Sequence, residues 1–281
     1  MPISLAGKPI VITGAGSGIG RAAALACAGA GMPVVLTGRR REPLEAAARE
    51  IEAVGGRAAA LAGDVTDRVH CGAAVALCVE RFGSIYAVFA NAGYGVECAA
   101  HEMSDADMRA IFETNFFGTL NVLRPALPVM RAAGRGHLLV CSSCLALLPL
   151  PYYGAYCATK AAQHHVSRAM GVELRGSGVW VSSVHPVGTR TEFFDTADRR
   201  SPKRAGLMRV GASDRFLQPP ERVAKAVVRC LRRPRPEVWT SHAARLAFEF
   251  AAMFPGATDA ALGWMVERRR RAAERGERGG A

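Results

Sequence analysis

Short apolar segments alternate with helical segments along most of the chain, and this alternation limits the possible folds more than any other feature. Helical patterns such as 18–30, 42–54, 67–82 and 155–175 would supply the crossovers that parallel strands require. Six nearly continuous apolar runs flank them: PIVITG, PVVLTG, RAAALAGD, IYAVFAN, HLLVCSS and VWVSSV. Such runs are typical of strands buried on both faces. The sequence therefore predicts an α/β fold with a doubly wound parallel sheet of about seven strands and helices on both faces.

The chain has no internal repeat and no low-complexity linker, so we expect one domain over residues 1–281. Residues 190–218 interrupt the alternation with polar and basic residues and are a candidate substrate lid. Residues 219–266 predict a helix opened by proline, the short strand EVWT and apolar helices. We expect residues 267–281 to form a flexible basic tail.

The formal net charge of +12 is concentrated in two segments. Residues 199–235 contain twelve Lys or Arg against two acids, and the tail from Glu267 contains six Arg against three Glu. These segments have no interleaved aromatic side chains on which bases could stack. A solvated basic surface is therefore the preferred interpretation, and no nucleic-acid partner is predicted.

The N-terminus lacks a basic leader followed by a long apolar run, and no stretch has the roughly 18 apolar residues of a membrane span. We expect a soluble cytoplasmic protein. The eight cysteines are scattered through apolar patterns, so we expect reduced, buried thiols. Cys141 and Cys144 have redox C-x-x-C spacing but follow a strand instead of opening a helix, which disfavours a thiol-disulfide role.

A glycine-rich turn joins the first predicted strand to the first helix in VITGAGSGIGRAAALA. Gly14, Gly18 and Gly20 give the spacing G-x-x-x-G-x-G, which can bring backbone N–H groups and a helix N-terminus up to a pyrophosphate. Tight strand-to-helix turns also favour glycine for steric reasons. The position at the first β-to-α junction favours a dinucleotide site.

The second strand ends in LTGRRR, where dinucleotide sites of this topology often have an acid for the adenosine ribose. Arg39 stands there instead, with Arg40 beside it. A guanidinium pairs with a 2′-phosphate that a carboxylate would repel, so Arg39 predicts NADP in preference to NAD. A merely solvated basic loop is the alternative.

Tyr156 and Lys160 lie four residues apart in a predicted helix and therefore share one face. An adjacent ammonium favours the phenolate, lowers the tyrosine pKa and would make Tyr156 a general acid or base. For an isolated Y-x-x-x-K, an ordinary exposed helix pair is the default reading.

Further motifs accompany this pair in order. They are T-G-x-x-x-G-x-G from Thr13 to Gly20, Asp64 with Val65, N-A-G at Asn91, Ala92 and Gly93, Asn115 in ETNFFG, Ser143, and Y-x-x-x-K from Tyr156 to Lys160. Over roughly residues 7–192 the chain thereby resembles the short-chain dehydrogenase/reductase family. The resemblance implies a Rossmann-type fold and an oxidoreductase that interconverts carbonyl compounds and alcohols.

The resemblance also implies the site. Its catalytic residues would be Asn115, Ser143, Tyr156 and Lys160. Ser143 would bind the substrate oxygen, and Tyr156 would donate or accept the proton. Lys160 would lower the Tyr156 pKa and bind the nicotinamide ribose, and Asn115 would order a water molecule. The expected cofactor-binding residues are Gly14, Ser17, Gly18, Ile19, Gly20, Arg39, Asp64, Val65, Asn91, Ala92, Gly93, Tyr156, Lys160, Pro186, Gly188, Thr189 and Thr191.

Three positions need separate comment. Ser142 competes with Ser143, but adjacent strand residues point to opposite faces and the spacing to Tyr156 favours Ser143. The usual P-G-x-x-x-T of the family departs here to HPVGTRTEF, with Val187 in place of the glycine. His185, His164 and His165 have no acid or cysteine at ligand-like spacing, so they are interpreted as structural and no metal site is predicted.

The segment CLALLPLPYYGA between Ser143 and Tyr156 is apolar, so we expect an apolar carbonyl or alcohol substrate, with Tyr152 and Tyr153 as specificity residues. These leucines could instead pack the core. The rival functions are an NAD-dependent alcohol dehydrogenase on the same scaffold and a non-catalytic dinucleotide-binding sensor. The resemblance implies a homodimer or homotetramer. The apolar stretch from Leu246 to Met265 could cap the pocket, pack on a partner or rest on a membrane surface.

Overall fold

A single twisted layer of parallel strands organises the molecule. The structure, a computed structural model, describes residues 1–201 and 217–278. Within them, seven strands pair in parallel in the order β3-β2-β1-β4-β5-β6-β7. The strands are β1 (Ile10–Thr13), β2 (Val34–Gly38), β3 (Ala58–Ala62), β4 (Ala87–Ala90), β5 (Gly136–Cys141), β6 (Val179–His185) and β7 (Glu237–Trp239). The predicted fold class is confirmed.

Helices connect consecutive strands on both faces of the sheet. They are α1 (Gly18–Gly29), α2 (Arg41–Ala53), α3 (Arg68–Phe82), α4 (Asp105–Phe112), α5 (Gly118–Ala132), α6 (Gly154–Glu173), α7 (Phe193–Arg200), α8 (Pro220–Arg232), α9 (His242–Met253) and α10 (Pro255–Arg278). The four helices predicted from periodicity agree with α1, α2, α3 and α6 to within two residues at each end. Local chemistry explains some boundaries: the Asp67 carboxylate accepts from the Val69 N–H at 2.8 Å, and α3 ends at Gly83, which is left-handed.

Side chains of alternate strand residues divide the core into two layers. Ile10 and Ile12 of β1 pack with α1, α2 and α8, whereas Val11 between them packs with α3 and α5 on the other face. Both layers are fully buried at the sheet. This explains why the strand sequences are apolar at every position instead of alternating.

The strand order reverses direction between β1 and β4. From β1 the chain winds outward to β3 on one side, then returns to β4 on the other side of β1. Loops leaving β1 and β4 therefore diverge at the carboxyl ends of the strands and leave a crevice between them. The Gly14–Gly20 turn and the Asn91-Ala92-Gly93 turn begin at this point.

The C-terminal region differs in one respect from the sequence expectation. The predicted flexible tail begins at residue 267, but α10 continues as a helix to Arg278. Its Arg, Glu and Ala residues are good helix formers, and Glu267 pairs with Arg271 one turn later at 3.3 Å. Helical conformation therefore extends to Arg278, and the flexibility expected of this segment stays a prediction. Residues 279–281, and 202–216 of the predicted lid, lie outside the described residues.

Two further expectations can be compared with the structure. All eight cysteines are buried and unpaired, as expected from their apolar surroundings. Across residues 1–201 and 217–278, none of the helices combines the length and apolar character needed to cross a bilayer.

Leu139→Ala should lower the free energy of unfolding by about 2–5 kcal/mol, because Leu139 is fully buried in the central strand β5 and truncation leaves a cavity. Urea denaturation measures the loss. Val172→Ala removes an apolar side chain that is 58% exposed and is the control, with an expected change below about 0.5 kcal/mol. Equal losses in the two variants would contradict this description of the core.

Candidate active site

A cavity of about 910 Å³ opens at the carboxyl ends of the strands. Most residues predicted from the sequence line it. These are Gly14, Ser17, Gly18, Ile19, Arg39, Asp64, Val65, Asn91, Ala92, Gly93, Ser143, Tyr153, Tyr156, Lys160, Pro186, Gly188, Thr189 and Thr191. Gly20, Asn115 and Tyr152 are the predicted residues that do not line it. The structure thus brings together residues that are up to 177 positions apart in the chain, from Gly14 to Thr191.

The glycines of the first turn are required by close backbone contacts. Gly14 has φ +65°, and a Cβ there would lie 3.0 Å from Ala92 Cα. A Cβ on Gly20 would lie 2.2 Å from the Gly14 carbonyl oxygen, which no side chain tolerates. Gly20 therefore does not line the cavity but allows the turn to fold against itself. The resulting turn exposes backbone at the start of α1, as an anion site requires.

Thr13 joins the two turns that form the crevice. Its buried hydroxyl oxygen accepts the N–H groups of Asn91 and Ala92, each at 3.0 Å. The Asn91 side-chain amide donates back to the Thr13 carbonyl at 3.0 Å. Three hydrogen bonds therefore fix the Asn91-Ala92-Gly93 turn to the end of β1. Thr13 opens the T-G-x-x-x-G-x-G motif, but the motif itself gives no signal of this contact with a turn 78 residues away.

The two arginines after β2 differ in their surroundings. Arg40 forms an exposed ion pair with Glu192, with 2.6 Å between Nη2 and Oε2, and so connects the loop after β2 to the loop after β6. Arg39 is exposed and lines the cavity. No ion pair joins Arg39 to any residue in the described ranges 1–201 and 217–278. Arg39 is therefore the more available cation for an anionic group in the cavity.

Ser143 and Tyr156 lie side by side under the cavity. Ser143 follows β5 in extended conformation, and its hydroxyl accepts the Leu145 N–H at 3.1 Å. A hydrogen bond links Ser143 and Tyr156 and acts to lower the tyrosine pKa. The competing Ser142 donates its hydroxyl to the Lys160 carbonyl at 2.8 Å. Ser142 thus anchors α6, which leaves Ser143 as the serine beside the phenol.

Burial is the largest influence on the Tyr156 phenol. It raises the pKa of Tyr156 well above the ordinary value of 10 and outweighs the opposing hydrogen bond with Ser143. This corrects the expectation that Lys160 brings the pKa of Tyr156 down. The phenol is consequently protonated at neutral pH and available as a proton donor.

Lys160 is a buried ammonium whose charge is held by the backbone. Its Nζ donates to the Cys141 carbonyl at the end of β5 at 2.8 Å and lies 5.5 Å from the centroid of the Tyr156 ring. Burial lowers the pKa of Lys160 from its ordinary value. The Lys160 amino group therefore lies over the face of the Tyr156 ring.

Asn115 occupies a short π-helical turn, Glu113–Phe117, between α4 and α5. It is fully buried, and its amide donates to the Tyr94 carbonyl at 2.9 Å and to Thr159 Oγ1 at 3.0 Å. Its Oδ1 accepts the Tyr94 N–H at 3.0 Å. Because a π-helical turn is wider than an α-helical one, the Asn115 carbonyl is available to accept a hydrogen bond from Gln163 Nε2 at 2.7 Å. Asn115 thus connects the loop after β4 to α6 from behind the cavity.

Gly93 places this network next to Lys160. A Cβ at Gly93 would lie 3.0 Å from Asn115 Oδ1 and 3.6 Å from Lys160 Nζ. Only glycine allows the turn to approach both groups this closely. Thr159 and Gln163, which hold Asn115 from α6, were missed in the sequence analysis, although they lie on the same helical face as Tyr156 and Lys160.

His185 contacts the site directly, although the sequence interpretation made it structural. Its Nδ1 donates to the Ser143 carbonyl at 2.9 Å, and its ring stacks on Trp239 with centroids 4.5 Å apart. Burial lowers the pKa of His185 to about 4, so the imidazole is neutral at pH 7 and its proton lies on Nδ1. His185 therefore fixes the backbone at Ser143. Among the described residues, no group of three potential metal ligands occurs.

The loop after β6 keeps the cavity contacts despite Val187. Thr191 packs against the glycine turn, where a Cβ on Gly18 would lie 2.9 Å from Thr191 Cγ2. Thr189 Oγ1 donates to the Val187 carbonyl at 2.7 Å and accepts from Gln218 Nε2 at 3.0 Å. The replacement of glycine by Val187 therefore leaves the loop beside the crevice.

Beyond Tyr156 the lining becomes apolar. The apolar lining residues are Leu145, Leu148, Leu150, Tyr153, Phe193, Phe248 and Met265, and Thr196, Arg199 and Arg269 also line the cavity. Phe193, at the start of α7, lies 5.2 Å from the Tyr156 ring, between centroids. Tyr152 does not belong to this group. It has φ +64°, and its hydroxyl accepts from Arg270 at 2.7 Å on the surface, so its predicted role in substrate specificity stays a prediction without a place in the cavity lining.

Comparison with known proteins identifies the family of sequences to which this site corresponds. Residues 8–201 match the model of the short chain dehydrogenase family. An A-factor type gamma-butyrolactone 1′-reductase from Streptomyces virginiae is 33% identical over 218 residues, which is 77% of this chain and 85% of the relative.

Solved structures agree with this match. A short-chain dehydrogenase/reductase from Burkholderia phymatum, in complex with NAD, superimposes with a TM-score of 0.82 at 26% identity, over 91% of this chain and 96% of the other. An alcohol dehydrogenase from Thermococcus sibiricus, complexed with 5-hydroxy-NADP, gives 0.71 at 28% identity, over 83% and 95%.

Thr13→Val should lower the free energy of unfolding by about 1–3 kcal/mol, because the isosteric methyl group leaves two N–H groups without their acceptor. Chemical denaturation measures the change. Thr37→Val on β2 is the control, since the Thr37 hydroxyl contacts one side-chain nitrogen, His70 Nε2 at 2.6 Å, and no backbone N–H. A loss for Thr13→Val no greater than that of the control would refute the role of Thr13 as the link between the turns.

Proposed function

Because the chain belongs to the short-chain dehydrogenase family of oxidoreductases, we propose that it is an NADP(H)-dependent enzyme that interconverts a ketone or aldehyde and the corresponding alcohol. The observation that supports this most directly is the common cavity. The glycine turn and Arg39 line one end, and Ser143, Tyr156 and Lys160 line the other. A dinucleotide held at the first end would present its reactive ring to the second.

The residues of the crevice fit a dinucleotide. Gly14 and Gly18 line the cavity, and the start of α1 offers backbone N–H groups to a pyrophosphate. Asp64 and Val65 would border the adenine, Asn91, Ala92 and Gly93 the adjoining ribose, and Pro186, Gly188, Thr189 and Thr191 the nicotinamide. When bound, this cofactor supplies or removes the hydride at the substrate carbon.

Arg39 is the basis for preferring NADP. It is exposed in the cavity, whereas Arg40 is already paired with Glu192. A guanidinium that is not already engaged in an ion pair can bind a 2′-phosphate without breaking another contact. An NAD-preferring enzyme remains the rival on the same scaffold, and the relative of known structure from Burkholderia phymatum binds NAD.

The proposed chemistry of the protein groups follows from their placement. The Ser143 hydroxyl donates a hydrogen bond to the substrate oxygen and polarises the carbonyl. Tyr156 gives its phenolic proton to that oxygen as the carbonyl becomes an alcohol, and accepts it back in oxidation. Lys160, whose Nζ lies 5.5 Å from the centroid of the Tyr156 ring, would donate to the nicotinamide ribose hydroxyls. His185 fixes the backbone at Ser143, and Asn115 connects the Tyr94 segment to Thr159 and Gln163 on the helix that carries Tyr156 and Lys160.

An apolar substrate is the best fit to the far end of the cavity. Leucines of the 145–150 segment, Phe193, Phe248 and Met265 provide an extended apolar wall for such a substrate, and Arg199 and Arg269 are the basic residues that α7 and α10 add to the lining. We propose that the described start of the predicted lid, residues 190–201, borders this substrate, since Phe193 and Thr196 line the cavity. The rival of another class, a dinucleotide-binding sensor, would leave Ser143, Tyr156 and Lys160 without a purpose. Cytoplasmic location and a homodimer or homotetramer stay predictions.

Arg39→Asp should weaken NADPH binding by about thirtyfold, because a charge-assisted contact to the 2′-phosphate is replaced by repulsion, while NADH binding changes little. Calorimetric titration with each cofactor measures this. The matched control is Arg49→Asp, an exposed arginine of α2 outside the cavity lining. Equal weakening of NADPH and NADH binding by Arg39→Asp would refute the NADP assignment.

The pH dependence should differ between the two directions of reaction. Because burial raises the pKa of Tyr156, the acid form persists through neutral pH, so the reduction rate should stay level. Oxidation uses the phenolate and should rise with pH between about 6 and about 10. Tyr156→Phe should lose about 10²–10⁴-fold in kcat in both directions.

Steady-state rates with Tyr153→Phe are the control for this test. That substitution removes another phenol from the cavity lining, and its expected loss is below about tenfold. Retained activity in Tyr156→Phe, or an oxidation rate independent of pH, would contradict the assignment of Tyr156 as the proton carrier.

A further inference from the structure

Helix α9 exposes its apolar side chains instead of burying them. Leu246 is 67% exposed, Phe250 64%, Met253 71% and Phe254, just beyond the helix, 47%. Their spacing of four, three and one residues places them on one side of the helix. A surface helix ordinarily turns such a stripe toward the core.

The opposite side of α9 is directed into the protein. Phe248 lines the active-site cavity, and Met265 of α10 lines the same cavity. The two helices form a hairpin that is closed by a hydrogen bond from Thr258 Oγ1 to the Ala251 carbonyl at 2.8 Å. Because both helices contribute inward side chains to one cavity, their exposed apolar residues lie on the side away from it.

Helix α10 adds an aromatic side chain followed by cations. Trp264 is 62% exposed, and the Arg268 guanidinium lies 5.3 Å from its ring centroid. Arg270 and Arg271 follow on the next turn and are exposed. Leu246, Phe250, Met253, Phe254 and Trp264 are called here the outer apolar residues. Apolar side chains that end in a tryptophan and an arginine cluster resemble an interfacial helix.

Further cations adjoin the start of α9. A groove of about 870 Å³ includes His242 and Arg245 of this helix and is lined by the basic side chains Lys225, Arg229, Arg232, Arg233 and Arg235. These five residues make no ion pair within the ranges 1–201 and 217–278. Their charges are therefore available to an external anionic surface.

We propose that the α9–α10 hairpin docks on an anionic lipid surface. The outer apolar residues enter the boundary of the acyl chains, and Arg268 and Arg271 contact phosphate headgroups, with the basic groove adding long-range attraction. A second copy of this chain is a poorer occupant, because it would bring two arginine clusters and two net charges of +12 together. The proposal does not depend on the reaction catalysed in the cavity.

Co-sedimentation of the full chain with vesicles tests this docking. The wild type should bind vesicles of phosphatidylcholine with phosphatidylglycerol at least about tenfold more tightly than phosphatidylcholine alone, and added salt should weaken the binding. Phe250→Ser with Trp264→Ser should abolish most of it. Arg268→Glu with Arg271→Glu should weaken it by about thirtyfold.

Matched controls separate docking from general surface effects. Val54→Ser with Val172→Ser removes two side chains that are 79% and 58% exposed, one just beyond α2 and one on α6, and Arg49→Glu with Arg175→Glu reverses two exposed charges elsewhere. Both pairs should bind vesicles like the wild type. Thermal unfolding checks that each variant is folded.

Two results would overturn the proposal. One is equal binding of the wild type and Phe250→Ser/Trp264→Ser to anionic vesicles, or no binding by either. The other concerns sedimentation equilibrium: the wild type is an oligomer, Phe250→Ser/Trp264→Ser dissociates it, and vesicle binding is unchanged. That result would make the outer apolar residues a subunit interface.

Discussion

The hydrogen bonds between Thr13 and the Asn91-Ala92-Gly93 turn are the contact on which the site depends. The strand order reverses at β1 and β4, so the loops that leave these strands would separate without a connection. One threonine hydroxyl accepts two N–H groups and holds the second turn against the first. Gly14 and Gly20 then permit backbone contacts too close for any side chain. The cofactor crevice and the position of Gly93 beside Lys160 both follow from this contact.

A second layer of polar contacts allows a charged lysine to be buried beside the phenol. Burial of an ammonium is costly unless its protons are hydrogen-bonded. Here the Cys141 carbonyl accepts a hydrogen bond from Lys160. On the same face of α6, Thr159 accepts from the Asn115 amide and Gln163 donates to the Asn115 carbonyl. The π-helical turn at Asn115 supplies the backbone carbonyl that Gln163 needs. The same burial raises the pKa of Tyr156 and keeps the phenol protonated, as the proposed role of proton donor to a substrate oxygen requires.

Much of this arrangement follows from sequence patterns, because parallel strands and helical spacing bring distant residues to one edge. Continuous apolar runs predicted the strands, and the separation of Tyr156 and Lys160 by four residues predicted that they share a face. Contacts through space were not predictable in this way. Tyr152 follows an apolar run like that of the cavity wall, but its left-handed backbone turns it to Arg270. The contact of His185 with Ser143 depends on two strands being neighbours, and α10 is helical to Arg278, with Glu267 and Arg271 paired one turn apart.

The central claim is that this cavity couples a nicotinamide dinucleotide to a carbonyl substrate. The most direct measurement is NADPH absorbance during incubation of the wild-type protein with a panel of apolar ketones and aldehydes, with the alcohol product quantified in parallel. The account predicts that at least one compound consumes NADPH and yields an equal amount of alcohol. Tight NADPH binding without turnover of any compound on the panel would contradict it and favour a dinucleotide sensor.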